Sequence, residues 1–169
     1  MPEAGATDRL LPCLLDRLTD PTPGAKTESA DRRTISMRQY REGVRRDLEY
    51  LLNARCRTAD DPVGLFARVA TSVLNFGVPD MTGQTLSGLN ILDLERKIRQ
   101  AIIEYEPRVL AEGLSVRLAS SDEAAKGRHR LTLEIVGQLW ATPMPDPLYY
   151  RTDVDLETGQ FEIKDRSHG

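Results

Sequence analysis

The spacing of the apolar residues changes once along this chain, and that change narrows the folds open to it. Up to Tyr105 apolar side chains recur at steps of three and four, whereas from Leu114 onward they alternate with polar ones. Steps of three and four place side chains on one face of a helix, and strict alternation places them on one face of a strand. Helices therefore come first and strands second. The expected class is α+β, with amphipathic helices packed on one face of a small, largely antiparallel sheet formed by the C-terminal half. The 169 residues suit one core of modest size.

Within the helical half, Leu10, Leu11, Leu14, Leu15 and Leu18 follow Asp8, a residue suited to capping, and predict a short amphipathic helix. Pro12 must lie in its first turn or break it. Residues 20–33 are polar and rich in breakers, the composition of a linker. A leucine stripe on such a tether either docks on a partner or folds back on its own domain, and the spacing fits both. The division that follows is a helix and flexible linker at 1–35, a single domain at 36–165 and a tail at 166–169.

Ser36 and Gln39 form a capping box, after which Met37, Tyr40, Val44, Leu48 and Leu51 share one face of a helix ending near Asn53. Its other face carries Arg38, Arg41, Glu42, Arg45, Arg46 and Glu49, which reads as a solvated surface. Asp60, Asp61 and Pro62 precede a short helix at 63–70, and residues 72–80 read as a partly buried loop. A further helix at 89–105 follows from Ile91, Leu94, Ile98, Ile102 and Tyr105, and Pro107 ends it. Strands are expected at 114–118, at 131–140 and at 148–154. A turn at Glu157, Thr158 and Gly159 precedes a last strand at 161–163. Pro143, Pro145 and Pro147 suggest that Leu148, Tyr149, Tyr150, Arg151 and Thr152 belong to an edge strand.

Composition excludes several functions. The net charge is -3 with both signs interspersed, and aromatics make up 5%, which gives no basic patch or stacking platform for nucleic acid. Cys13, Cys56, His129 and His168 lack the spacing of a metal site, and no cofactor motif is present. Gly83 and Gly88 bracket a segment without the lysine of a phosphate-binding loop. No apolar run approaches the roughly 20 residues of a membrane span, so a cytoplasmic protein with reduced thiols and no membrane insertion is expected. The lone Trp140 at a strand end reads as core or edge packing.

One feature invites a catalytic reading. Glu106, Pro107 and Arg108 put a carboxylate at a helix end beside a fixed backbone, the setting of a general acid if its pKa were raised. No second carboxylate is paired with it by any pattern, as sugar hydrolysis would require. Neither cysteine nor any serine lies in a nucleophile motif. The simpler use of Glu106 and Arg108 is a charge-assisted pair within the fold or across an interface.

Four segments taken together carry a resemblance: Leu-Leu-Asp-Arg-Leu-Thr-Asp at 14–20, Val-Arg-Arg-Asp-Leu-Glu-Tyr-Leu-Leu-Asn-Ala-Arg at 44–55, Ser-Val-Leu-Asn-Phe-Gly-Val-Pro-Asp at 72–80, and Ile-Glu-Tyr-Glu-Pro-Arg at 103–108. In this order and spacing the chain resembles the TssE family, baseplate subunits of type VI secretion systems. That family is related to the lysozyme-like wedge protein of contractile phage tails, where the lysozyme label is historical. The resemblance implies a non-enzymatic subunit that joins TssF and TssG in the wedge and works beside TssK and the VgrG spike. On it the TssB/TssC sheath would begin to polymerise, in a baseplate docked at the cytoplasmic face of the inner membrane. It also implies that Glu106, Pro107 and Arg108 hold the wedge together. Two rivals remain at this stage: a peptidoglycan-hydrolysing enzyme, and a soluble adaptor that binds through Leu11, Leu14, Leu15 and Leu18.

Overall fold

The computed structural model describes residues 10–19, 34–57, 66–85, 88–119 and 130–166. In chain order these form α1 (Leu14–Leu18), α2 (Met37–Asn53), α3 (Ala67–Ala70), a 3-10 turn (Val73–Asn75) and α4 (Ile91–Tyr105). Four strands follow: β1 (Ser115–Leu118), β2 (Arg130–Leu139), β3 (Asp146–Asp155) and β4 (Phe161–Asp165). The expected Asp8 cap, the linker at 20–33, the helix start at Asp60, Asp61 and Pro62 and the link at 120–128 lie outside the described residues.

Helix α2 starts where the capping box places it. The Gln39 N–H donates to Ser36 Oγ at 3.3 Å and the Ser36 N–H to Gln39 Oε1 at 3.0 Å, satisfying two N–H groups with no partner inside the helix. Its buried face comprises Tyr40, Val44, Leu48, Leu51 and Leu52. Asn90 caps α4 by accepting from the Asp93 N–H at 3.1 Å, and Leu94, Ile98 and Ile102 face inward. These two helices touch one another, α2 lying along β4 and α4 along β1, so both cover one face of the sheet.

The sheet is antiparallel throughout, in the order β1-β2-β3-β4. Leu131, Leu133, Ile135 and Leu139 of β2 and Leu148, Tyr150, Thr152 and Val154 of β3 point into the core. Gly137 interrupts the inward row of β2 because a Cβ there would stand 3.3 Å from Leu114 Cδ1, so its absence admits the leucine. The opposite face is polar and cross-linked. Thr132 Oγ1 donates to Asp153 at 2.8 Å, Tyr149 OH to Glu134 at 2.9 Å and Lys164 Nζ to Asp153 at 3.0 Å. The α+β expectation therefore holds, with the helices on one side.

Two expectations are corrected. The segment Leu148, Tyr149, Tyr150, Arg151 and Thr152 is not at an edge, because β3 lies between β2 and β4. The prolines misled for a geometric reason. The Tyr149 carbonyl and the Asp155 N–H both bond toward β4, at Arg166 and Gln160, so odd-numbered residues of β3 face that side. Pro147 shares their parity but lies beyond the stretch paired with β4, so its missing N–H interrupts no ladder. The charged face of α2, in turn, is not wholly solvated. Arg41 is 7% exposed, forms ion pairs with Asp146 and Asp165, and donates to the Pro147 carbonyl at 2.6 Å. It ties α2 to the start of β3.

Candidate assembly interface

Pro107 has no N–H to continue α4, and Glu106 closes the helix with its own N–H bonded to the Ile102 carbonyl. This turns Glu106 inward to 4% exposure. Its carboxylate is gripped from two sides by one guanidinium: Arg108 Nε donates to Oε1 at 2.7 Å and Nη2 to Oε2 at 2.5 Å. The same Nη2 reaches Asp47 of α2 at 2.6 Å. A buried carboxylate is costly unless paired and hydrogen-bonded, and this two-pronged geometry is the strong form of such pairing. Burial disfavours the Arg108 charge, but its bonds to Glu106 and Asp47 outweigh that effect and raise its pKa.

The backbone beyond Pro107 is fixed equally firmly. Residues 108–110 run beside the end of β2, with the Trp140 N–H on the Arg108 carbonyl at 2.7 Å and the Leu110 N–H on the Gln138 carbonyl at 2.9 Å. Tyr40 OH donates to the Trp140 carbonyl at 3.0 Å, and the Arg108 guanidinium lies 6.0 Å from the Tyr40 ring centre. Pro107 and Trp140 remain exposed at the rim.

From Asp47 the charges continue outward. Arg46 Nε and Nη2 bond Asp47 at 3.0 and 2.9 Å, and Arg46 Nη1 bonds Asp16 of α1 at 2.6 Å. The Cys13 thiol donates to Asp16 at 3.0 Å. The Arg46 hydrogen bond holds the Asp16 carboxyl below its usual value. Helix α1 thus folds back on its own domain, with Leu10 against the core and the Ile35 N–H on the Leu10 carbonyl. Its other leucines do not join that core. Leu11, Leu14, Leu15 and Leu18 are 50–74% exposed.

A second apolar group surrounds the 3-10 turn. Val73, Leu74 and, before α3, Phe66 face solvent, while Phe76 packs edge-on against Tyr105 with ring centres 5.3 Å apart. Ser72 caps the turn, and Asn75 donates to the Ala70 carbonyl and accepts from the Arg57 N–H. The turn is therefore a braced mount for two exposed side chains, a more defined structure than the loop expected there.

The sheet has two edges, treated differently. On β1, Glu95 of α4 accepts the Leu118 N–H at 2.6 Å and Arg99 donates to the Leu114 carbonyl at 2.8 Å, so the helix covers that edge. On β4, the Asn53 side chain accepts the Phe161 N–H and donates to its carbonyl, both at 3.0 Å, in the manner of a neighbouring strand. Ile163 and Asp165 share the outward parity of Phe161, and among the described residues no strand lies beyond them. A groove of about 290 Å³ lies at the same end, lined by Leu52, Arg55, Asp80 and Phe161 among others, away from Glu106.

The structure thus joins Glu106 and Arg108 directly, leaves Pro107 at the surface, and brings the leucine helix beside them. Asp16 and Asp47 were not singled out by sequence reasoning, and Arg46 and Asn53 entered it only as a solvated side chain and a helix end. Each nonetheless lies inside one of the four segments that carry the resemblance, which was the available signal. Among the described residues no helix is long and apolar enough to cross a membrane. No curated protein and no solved structure matches the chain. A family model described as baseplate wedge protein gp25 matches residues 38–144, more than half of the chain, and TssE falls within that family. Its members are structural components of phage-tail-like baseplates. With nearly all of α2, the whole of α4, the Glu106–Arg108 pair and strands β1 and β2 inside the matched span, the chain belongs to the baseplate wedge protein gp25 family.

Proposed function

We propose that this protein is the TssE-type subunit of a type VI secretion baseplate, assembling with TssF and TssG into the wedge and supporting the first ring of the TssB/TssC sheath. The observation that carries the reading is the family match over residues 38–144. The geometry agrees with it. Both oxygens of Glu106 are held by Arg108 in a buried position, an arrangement suited to fixing structure and not to protonating a substrate. The exposed leucines Leu11, Leu14, Leu15 and Leu18 offer the apolar anchors that interfaces favour. The working unit is the domain at 36–165 with the N-terminal segment seated on it. Its place is a baseplate at the cytoplasmic face of the inner membrane.

Sheath contact belongs to β4. An exposed edge accepts an added strand through backbone hydrogen bonds, and Ile163 presents its N–H and carbonyl outward. Two variants separate the two roles. Leu14→Asp with Leu18→Asp is expected to abolish co-purification with co-expressed TssF and TssG while leaving the thermal melt in place. Ile163→Pro removes an outward N–H and is expected to abolish sheath tubes in cells while TssF and TssG still co-purify. Normal sheaths with folded Ile163→Pro protein would remove β4 from the account.

A further inference from the structure

Helix α1 is only five residues long and has no buried residue of its own. A helix of that length does not hold itself together in water, because nucleation is unfavourable and few bonds repay it. Its position must come from contacts with the domain. Leu10 supplies one apolar contact before the helix, but within the helix the contacts to α2 are polar. They form one continuous chain: Asp16 to Arg46, Arg46 to Asp47, Asp47 to Arg108, Arg108 to Glu106.

Gly43 of α2 lies under the middle of that chain. A Cβ built on it would be 3.6 Å from Asp16 Oδ2 and 3.7 Å from Arg108 Nη1, so the two groups converge over a helix surface kept bare. Arg108 therefore spends Nε and Nη2 on Glu106 and Asp47 and turns its remaining nitrogen toward the side on which α1 sits. Asp16 points inward to this cluster, and its leucine neighbours point out.

We infer that the Glu106–Arg108 pair is the seat of the N-terminal helix: Arg108, Asp47 and Arg46 are positioning residues that fix α1 and thereby aim its leucine face, and the partner touches the leucines. The inference rests on the reading above that this face meets the wedge. It changes the role of the motif. The pair acts within the chain, and loss of assembly on mutating it is transmitted through α1.

Hydrogen exchange of the full chain, read on the peptide spanning residues 10–19, tests the seat without a partner present. Arg108→Ala, Arg46→Ala and Asp16→Ala are each expected to speed exchange of that peptide by about tenfold, the scale of one lost charge-assisted contact, with α4 and the sheet unchanged. Asp16→Ala combined with Arg108→Ala is expected to exchange no faster than the faster single variant, since both open the same contact. A purely structural role for Arg108 would instead loosen α4 and the sheet and add to the effect of Asp16→Ala. If Arg108→Ala does not fold, Arg46→Ala, at the outer end of the chain, decides alone. Wild-type protection of residues 10–19 in a folded variant overturns the seat. In the co-expression assay, a wild type that binds no wedge partner while its variants lose protection refutes the assembly reading and leaves the seat standing.

Discussion

A single carboxylate, Asp16, ties α1 to the rest of the fold. Asp16 is held below its ordinary value of 3.8 chiefly by the Arg46 hydrogen bond, with Cys13 assisting and Asp47 and Arg108 close by. A depressed folded value means that the contact contributes fully above the unfolded value and is lost as pH falls through the lower one. Protection of residues 10–19 is therefore expected to be flat from neutral pH to about 4 and to fall below that, measured by hydrogen exchange at matched intrinsic rates. Asn53 is a second such residue. Asn53→Ala leaves both backbone groups of Phe161 without their partner and is expected to cost about 1–3 kcal/mol in urea unfolding. Gly77 has a φ of 131°, and a Cβ there would lie 2.4 Å from the Ala54 carbonyl oxygen. Gly77→Ala is expected to lose about 1–3 kcal/mol or more in the same measurement. Gly43→Ala meets only ordinary contacts and is expected to gain up to about 1 kcal/mol, as alanine replacing glycine within a helix does.

At the level of elements, most of the fold was legible because local pattern and tertiary packing agree. The capping box set the start of α2, the stripe from Ile91 to Tyr105 set α4, alternation placed β1 and β2, and the prolines and the turn at 157–159 bracketed β3 and β4. Strand order was not legible. Prolines ahead of β3 resemble an edge signal, and only pairing parity shows that Pro147 projects past the end of β4. Side-chain bonds to a strand's open backbone groups are equally silent in sequence, since Asn53 lies 108 residues from Phe161. The charged face of α2 illustrates the same limit. Arg38 and Arg41 look alike by composition, yet Arg41 is buried against Asp146 because β3 begins beneath it. Removing it leaves Asp146 without its partner, and Arg41→Ala is expected to lower the melting temperature by several degrees.

For the whole molecule, the candidate site was legible as a set of motifs but not as an arrangement. Glu106 and Arg108 pointed to a charge-assisted pair, and the leucine stripe pointed to a helix that either docks on a partner or folds back on its domain, from sequence alone. That the two are neighbours, linked through Asp47, Arg46 and Asp16, depends on α2 passing between them. The helical layer presents exposed leucines beside α2, and the sheet ends in β4, which α2 packs along. The proposed role, joining a wedge to a growing sheath, calls for two such surfaces. The most direct test is affinity purification of the folded wild-type chain after co-expression with TssF and TssG, followed by size-exclusion chromatography. The account predicts one complex containing all three proteins, and a folded chain that elutes alone would contradict it.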